Sequence, residues 1–491
     1  MTKTTEIMKK TITIIALAAL FVSCAKEVEQ TSAASGNVVT VAPTEFSATL
    51  ETPEPDTKTT LGGDNGKTVL WESGDEIIVW PGIRLGRVKY TLSSGAGTNS
   101  ATFTSDQTII GDGTDRPNFA LYPFDSFAEL YPEGVIYTYL PETQNYRANS
   151  WDRVAMWMLA VTENSADNNL KFKNLSGVLS LSLKGTAIID SIRVYALDED
   201  ERLAGWLYIN TSDYSLEFLD DSSLSLILEC ESGVTLSETE GTVFNIVVPP
   251  ITGGFRVDIY DREHGVMMLQ SNSEIKRNTI LKMPVVDYDP KAKDLGLSVY
   301  WATCNIGATT PEGYGDYFAW GETETKETYD WASYSMTLDG GTTFTKYNDT
   351  DGKTVLEAGD DAATQNWGSA WRMPTYDEMT ELTNTSNCEW TWTTQNGVNG
   401  YKVASNKEGY EGASIFLPAA GYCDGGYLDR VGSLGCYWSS SLAYTSHAIS
   451  LFSAFSGFND VGKSNNNCYF GQPVRPVASK GIIISNTGGS E

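Results

Sequence analysis

The chain has 491 residues, with 34 Lys or Arg against 63 Asp or Glu, which gives a formal net charge of −29. Such an acidic surface repels phosphate backbones, so the composition argues against nucleic-acid binding. With only two histidines and no HExxH, CxxC or HxH spacing, the sequence leaves almost no material for a zinc or non-haem iron site, or for a Ser-His-Asp triad.

Residues 1–24 have the order of a secretory signal, with lysines before an apolar run at residues 12–22 that is too short to span a bilayer. The tetrapeptide FVSC ending at Cys24 resembles the lipobox of bacterial lipoproteins. That resemblance implies that Cys24 becomes the lipidated N-terminus, carrying acyl chains such as palmitate that anchor the protein in the outer membrane. The alternative is an ordinary cleaved signal. Residues 25–29 resemble the tag of Bacteroidetes-type lipoproteins sent to the outer face of that membrane, so we expect a surface-exposed protein.

The polar stretch at residues 25–44 offers few side chains for a packed core and is expected to be a flexible tether. From residue 45 the pattern is that of short strands between turns. Residues 46–50 alternate apolar and polar, and residues 69–71 and 76–80 flank a Ser-Gly-Asp turn. In residues 177–183 leucines and serines fall on opposite faces, as in a half-buried antiparallel strand. Further strands are predicted at residues 191–195, 224–229, 243–248 and 255–260, with Pro249-Pro250 ending the third of these.

Several motifs give this half of the chain a family resemblance. In order they are TKTTL, VLWESGDEIIVW, FALYPF, LPETQNY, MWMLAV and FKNLSGVLSLSLKG. Together they resemble the fimbrillin-like family of surface lipoproteins. The resemblance implies two tandem transthyretin-like β-sandwiches, at residues 45–168 and 169–285, and subunits that can polymerise by strand donation. A simple stalk of two stacked domains is the open alternative.

After a Pro-, Asp- and Lys-rich boundary near residues 284–294, the chain becomes dense in Trp, Tyr and Gly. The segments DLGLSVYWATCNIGA, PEGYGDYFAWGET, NWGSAWRMPTYDEMTEL, SIFLPAAGYCDGG and GQPVRPV resemble the paralogous surface domain named for Fibrobacter. That domain is related in fold to C-type lectins and formylglycine-generating enzymes. We therefore expect a mainly β protein whose two sandwiches are followed by a loop-rich α+β, C-type-lectin-like domain at residues 286–479 and a tail at residues 480–491.

Local signals in this third region predict one helix and two ion pairs. Thr375 is a capping residue followed three positions later by Glu378, with Met379 and Leu382 at helical spacing, so a short helix is predicted to start near Thr375. Arg372 and Arg475 are charged residues within apolar segments, and each is expected to pair with a carboxylate.

Candidate ligand-binding residues in this region are aromatic, since aromatic faces stack on sugars. They are Trp367, Trp390, Trp392, Tyr427, Tyr437 and Trp438. Tyr427 is the most loop-like, because Asp424-Gly425-Gly426 precedes it. The usual calcium-dependent lectin triplets are absent, and Asp360 and Asp361 are the remaining candidates for a structural calcium ion. No other cofactor is expected.

The cysteines argue against catalysis. Formylglycine-generating enzymes hold copper with a close cysteine pair near the chain end, and that pairing is missing here. Export favours disulfides instead, although connectivity cannot be read from spacing alone. The resemblance to the paralogous surface domain implies a bridge between Cys304 and Cys388.

Two functions remain, and neither is enzymatic. The first is a lipid-anchored or fimbria-associated adhesin that presents its C-terminal domain to a glycan or a surface protein. The second is a structural fimbrial subunit without a ligand of its own.

Overall fold

The structure, a computed structural model, describes residues 42–51, 54–55, 69–83, 86–112, 114–341, 343–444, 446–454 and 460–481. The predicted signal peptide, the lipidation site Cys24 and most of the tether and tail lie outside these residues. The fold is mainly β, as predicted. In the part of the chain that is described, no helix combines the length and the apolar character needed to cross a membrane.

The first region consists of β-strands, seven of which form a closed barrel. Its strands are β1 (Glu45–Leu50), β2 (Glu54–Pro55), β3 (Glu76–Trp80), β4 (Val88–Ser94), β5 (Ser100–Thr104), β6 (Phe119–Tyr122), β7 (Glu129–Tyr131), β8 (Val135–Leu140), β9 (Thr143–Asn145), β10 (Met158–Val161) and β11 (Asn169–Asn174). Seven of them close in the order β1-β11-β10-β6-β3-β4-β5. The core centres on Trp71, whose ring lies edge-on to Phe103, Tyr122 and Phe172 at centroid distances of 4.9, 5.4 and 5.5 Å. Residues 69–71, predicted as a strand, form none. The backbone of Trp71 bonds instead to the turn after β4, with its N–H donating to Thr98 O at 2.9 Å and its carbonyl accepting from Gly97 N at 2.7 Å.

The second region packs two sheets face to face. Its strands are β12 (Gly177–Lys184), β13 (Ile188–Ala196), β14 (Gly205–Asn210), β15 (Leu216–Phe218), β16 (Ser225–Thr235), β17 (Thr242–Val248), β18 (Phe255–Asp261), β19 (Gly265–Ser271) and β20 (Thr279–Asp287). One sheet has the order β17-β12-β20-β2. Leu179, Leu181 and Leu183 on β12 pack with Ile192 and Val194 of β13 in the core. All five predicted strands of this region are confirmed, and β17 ends directly before Pro249.

Strands of the first two regions are interleaved. β11, which the predicted boundary at residue 169 places in the second sandwich, pairs with β1 and β10 of the barrel. β9 pairs in parallel with β16. A four-stranded sheet in the order β15-β14-β8-β7 takes two strands from each region. The domain boundaries themselves stay predictions.

The remaining described strands and two α-helices lie in the C-terminal region. They are β21 (Ala292–Lys293), β22 (Val299–Ala302), α1 (Ala362–Trp367), β23 (Trp371–Arg372), α2 (Tyr376–Thr383), β24 (Cys388–Gln395), β25 (Val398–Ser405), β26 (Ser414–Pro418), β27 (Tyr422–Asp424), β28 (Tyr427–Asp429), β29 (Leu434–Tyr444), β30 (His447–Ala454), β31 (Asp460–Asn467) and β32 (Val477–Ser479). The predicted helix is confirmed as α2, where Thr375 and Glu378 form a reciprocal capping box.

A single nine-stranded sheet connects the second and C-terminal regions, in the order β23-β32-β22-β21-β19-β18-β13-β16-β9. Gly265 and Val266 of β19 pair with Lys293 and Ala292 of β21, so the backbone ladder continues across the predicted boundary near residues 284–294. Because the ladder is continuous, the C-terminal region is held by main-chain hydrogen bonds as well as by side-chain packing.

Candidate ligand-binding hairpin

Two of the six aromatic candidates belong to the core. Tyr437 is 1% exposed and donates its hydroxyl to the carbonyl of Pro418 at 2.5 Å. Trp438 is fully buried, and its indole N–H donates to the carbonyl of Phe318 at 2.8 Å. Both side chains lie on β29, whose residues 434–440 are buried on both faces. The structure therefore removes Tyr437 and Trp438 from the set of ligand-binding residues.

Three further candidates are partly buried against neighbouring rings. Trp367 packs edge-on against Trp371 at 5.0 Å, at the end of α1. Trp390 and Trp392 on β24 both pack on Tyr401, at centroid distances of 5.6 and 5.0 Å. The indole N–H of Trp390 also donates to the carbonyl of Leu382. These contacts explain the three tryptophans as packing residues, with only part of each ring left for another molecule.

The candidate calcium ligands already have protein partners. Asp360 accepts hydrogen bonds from Lys346 and from the Tyr347 hydroxyl. Asp361 caps α1 by accepting from Thr364 N at 2.9 Å, and it accepts again from Met373 N at 2.8 Å. Burial raises the pKa of Asp361, which disfavours the anionic form that a cation needs. Across the described ranges, no group of three or more His, Cys, Asp or Glu side chains is arranged to hold a metal ion.

The expected Cys304–Cys388 bridge is not formed in the structure, where both thiols are free and buried. Cys388 begins β24 and packs in a core cluster with Leu382 and Met379. Cys304 lies just after β22, and its thiol is part of the electrostatic environment of Arg475. The free thiols correct the pairing implied by the resemblance.

Only one of the two expected ion pairs is present. Arg372 pairs with Glu378 through both guanidinium Nη atoms, as predicted. Arg475 is 1% exposed, and its guanidinium donates to Asn305 Oδ1 at 2.8 Å and to the carbonyls of Ala302, Thr303 and Phe416. Neutral oxygens thus take the place of the predicted carboxylate.

Tyr427 is the one candidate that projects fully into solvent, with 82% of its surface exposed. It lies on β28, which pairs with β27 through the registers Tyr422↔Asp429, Cys423↔Leu428 and Asp424↔Tyr427. Gly425-Gly426 connects the two strands, and Gly425 adopts φ +60°, which glycine reaches without strain. Residues 422–431 are named the Tyr427 hairpin below.

Other segments fix the first strand and the turn of the Tyr427 hairpin. Tyr329 and Gly425 exchange two backbone hydrogen bonds at 2.7 and 2.8 Å. Cys423 and Gly471 exchange two more at 2.7 and 3.0 Å. The Tyr422 hydroxyl donates to Asp429 Oδ2 at 3.0 Å. Because these bonds anchor the first strand and the turn, and the Tyr422 hydroxyl bonds across to β28, the exposed tip is pre-organised before any ligand arrives.

The surface of the Tyr427 hairpin combines apolar and charged groups. Leu428 is 57% exposed and Val431 is 41% exposed, while Asp429 and Arg430 are exposed beside them. Sequence reasoning found Tyr427 but missed Leu428 and Val431. The Gly425-Gly426 pair could have indicated Leu428, because it predicts a two-residue hairpin turn just before that residue. This tip can supply an aromatic face, aliphatic surface and hydrogen-bonding groups to one partner.

No family profile and no curated protein matches the chain. Among solved structures, a candidate cell adhesion protein from Bacteroides ovatus is 10% identical, with the match covering 50% of this chain and 92% of the other at a TM-score of 0.35. Another, from Bacteroides uniformis, is 15% identical over 45% of this chain and 88% of the other, at a TM-score of 0.31. A fimbrial protein from Bacteroides ovatus is 9% identical over 89% of this chain and 99% of the other, at a TM-score of 0.23. At these TM-scores the structural similarities support no conclusion about function.

Proposed function

We propose that this chain is a cell-surface adhesin that binds a glycan or a protein partner through the Tyr427 hairpin. The observation that carries the proposal is the 82% exposure of Tyr427 on a hairpin whose first strand and turn are fixed by four backbone hydrogen bonds to Tyr329 and Gly471. A rigid, exposed tyrosine offers a large contact area at little cost in conformational entropy, which is why such residues serve as binding hot spots.

Two further features support a surface adhesin. The lipobox-like sequence ending at Cys24 is the basis for an anchor in the outer membrane, and the residues that follow it are the basis for exposure on the outer face. The nine-stranded sheet makes the C-terminal region continuous with the second β-region. A binding site presented in this way is joined to the second β-region by hydrogen-bonded strands and not by a flexible linker.

The proposal is tested with the chain from residue 25 onward, because a fragment starting at residue 286 would lose the pairing between β19 and β21. Its binding to arrays of glycans and extracellular proteins would be compared with that of Tyr427→Ala and Leu428→Ala. Each variant is expected to weaken binding by about tenfold or more, which corresponds to about 1.4 kcal/mol. Tyr444→Ala, at a tyrosine that is 52% exposed elsewhere, is the matched control and should bind normally.

A chelator should leave binding unchanged, because Asp360 and Asp361 are engaged by protein donors. Equal binding by wild type and Tyr427→Ala would contradict the proposed site. Failure of the wild-type chain to bind any array component, combined with its assembly into polymers, would support the structural fimbrial subunit instead.

A further inference from the structure

A second surface, far from the Tyr427 hairpin in sequence, lies on the sheet β15-β14-β8-β7. Its inner face is apolar, with Ile136, Leu140, Leu207 and Ile209 buried in one cluster. The outer face of such a sheet is normally polar. Here it carries five aromatic side chains, which are Tyr131, Tyr137, Tyr139, Trp206 and Tyr208 and are named the outer aromatic face.

The five rings form a continuous ladder. Tyr137 stacks on Trp206 with a centroid distance of 5.0 Å and an interplanar angle of 10°. Tyr208 lies 5.2 Å from Tyr137 and 6.4 Å from Tyr131, and Tyr139 lies 5.2 Å from Trp206. Tyr139 is 41% exposed and the other four are half-buried. The ladder therefore reaches solvent as a contiguous surface.

Carboxylates flank this ladder in a defined row. Glu129 pairs with Tyr137, Tyr137 with Tyr208, and Tyr208 with Glu217, so one cross-strand row reads acid, tyrosine, tyrosine, acid. With strands about 4.8 Å apart, the row spans roughly 14 Å. Both glutamates are exposed. The pKa of Tyr137 is raised, chiefly by burial and to a smaller extent by Tyr208, Asp221 and Glu129.

The chemistry of this row fits a cation. Aromatic faces attract guanidinium and ammonium groups, and arginine in particular stacks on rings while donating to carboxylates. The cation–π contacts made by the described residues themselves lie on other rings, for example Lys173 over Tyr214 at 4.7 Å. None of these contacts occupies the five rings, so their exposed parts are left to an outside cation, while Tyr137 and Trp206 cover one face of each other.

We propose that the outer aromatic face binds an arginine-bearing, positively charged segment of a partner protein. Charge complementarity selects this occupant over the alternatives. A second copy of the chain brings a net charge of the same sign, formally −29, and an anionic glycan meets the same repulsion. A neutral glycan could stack on the rings but would gain nothing from charge at both ends of the row.

The test uses the chain from residue 25 onward and a fluorescent peptide of alternating arginine and serine, with fluorescence anisotropy as the readout at about 0.15 M salt. The wild-type chain should bind this peptide saturably and should bind the lysine analogue more weakly. A Tyr137→Thr, Trp206→Thr variant should lose about tenfold or more in affinity. Threonine suits a strand, so the variant retains β-propensity at both positions.

A charge variant tests the same face without changing its aromatic side chains, so its result does not depend on the folding of the aromatic variant. Glu129→Gln with Glu217→Gln alters only exposed groups, and it should also lose about tenfold and show a weaker salt dependence. Glu238→Gln with Glu240→Gln removes the same charge from exposed positions elsewhere and is the matched control, expected to bind as wild type.

Four results would overturn the proposal. The first is unchanged peptide binding by a folded aromatic variant, and the second is an equal loss of affinity in the Glu129/Glu217 variant and in its Glu238/Glu240 control. The third is binding of a neutral hexasaccharide at this face in place of the peptide. The fourth is self-association of the chain that disappears in Trp206→Thr. The first two would identify diffuse attraction to net charge. The last two would identify a glycan or a second copy as the occupant.

Discussion

Arg256 and Asp258 form a buried two-point ion pair on β18, with Nε–Oδ1 at 2.6 Å and Nη2–Oδ2 at 2.8 Å. The same guanidinium donates to the carbonyl oxygens of Ser479 and Gly481, at 3.0 and 2.9 Å. Tyr300 in β22 adds a hydroxyl donor to Asp258 Oδ2 at 3.3 Å. One cation therefore joins the second region to the last residues of the C-terminal sheet, where the backbone ladder also crosses.

Replacing Arg256 with alanine is expected to destabilise this junction strongly. Asp258 is fully buried, so the variant leaves its charge without a cation and two carbonyls without donors. The expected loss in the free energy of unfolding is about 3–5 kcal/mol, measured by guanidinium denaturation.

The matched control for Arg256 is Arg262→Ala, which breaks the solvent-exposed pair with Asp190 and should cost at most about 1 kcal/mol. Similar losses from Arg256→Ala and Arg262→Ala would show that the junction does not depend on the buried pair.

Much of the fold was accessible from sequence because its signals are local. The leucine and serine alternation at residues 177–183 identified β12, and the Thr375 and Glu378 spacing predicted a helix starting near Thr375, which α2 confirms by starting at Tyr376. Each of these patterns is complete within a few positions, so no long-range information is needed to interpret it.

The candidate sites were harder to predict from the sequence because they depend on strand register and tertiary packing. Tyr437 and Tyr427 lie ten positions apart, yet one is in the core and the other in solvent. Arg475 is satisfied by oxygens from two separate segments, residues 302–305 and Phe416, and the row from Glu129 to Glu217 requires strands about seventy positions apart to align. Composition and spacing carry no record of those pairings.

The described cysteines are expected to remain reduced and largely unreactive in the native protein. Burial raises the pKa of Cys230, Cys436 and Cys468 to about 12 and that of Cys388 to about 11, so little thiolate forms at neutral pH. Cys423 is only partly buried and should be the first to react with a maleimide at pH 8. Mass spectrometry after timed labelling would rank the sites. A Cys304–Cys388 linked peptide in a non-reducing digest would contradict the free thiols of the structure.

The Arg372–Glu378 pair predicts a specific pH dependence of stability. Burial alone would raise the pKa of Glu378, but Arg372 and the hydrogen bonds with Thr375 hold it below its ordinary value. A carboxylate with a lowered pKa in the folded state stabilises the protein above the unfolded-state pKa of about 4.3 and loses that contribution as the pH falls. Glu378→Gln should therefore be less stable than wild type by about 2 kcal/mol at neutral pH, with a smaller difference in acid.

Denaturation curves across the acid range would measure that trend for Glu378→Gln. Glu389→Gln, at an exposed position in β24, is its control and should track wild type throughout. A difference between Glu378→Gln and wild type that stays constant with pH would assign the role of Glu378 to packing.

Gly421 sets the geometry of the Tyr427 hairpin, and its replacement tests that geometry without any ligand. It adopts φ +64°, and an alanine Cβ there would lie 2.0 Å from the carbonyl oxygen of Asp429. Gly421→Ala should therefore displace β28 and cost about 1–3 kcal/mol locally.

Gly426→Ala is the matched control, because its Cβ would meet nothing closer than the Glu327 carbonyl at 3.8 Å. Chymotrypsin should cleave after Tyr427 and Leu428 faster in Gly421→Ala than in Gly426→Ala or wild type, as local opening becomes more frequent. Equal cleavage rates at these two sites would show that the hairpin is not fixed by its base, and the pre-organised tip on which the adhesin proposal depends would then be absent.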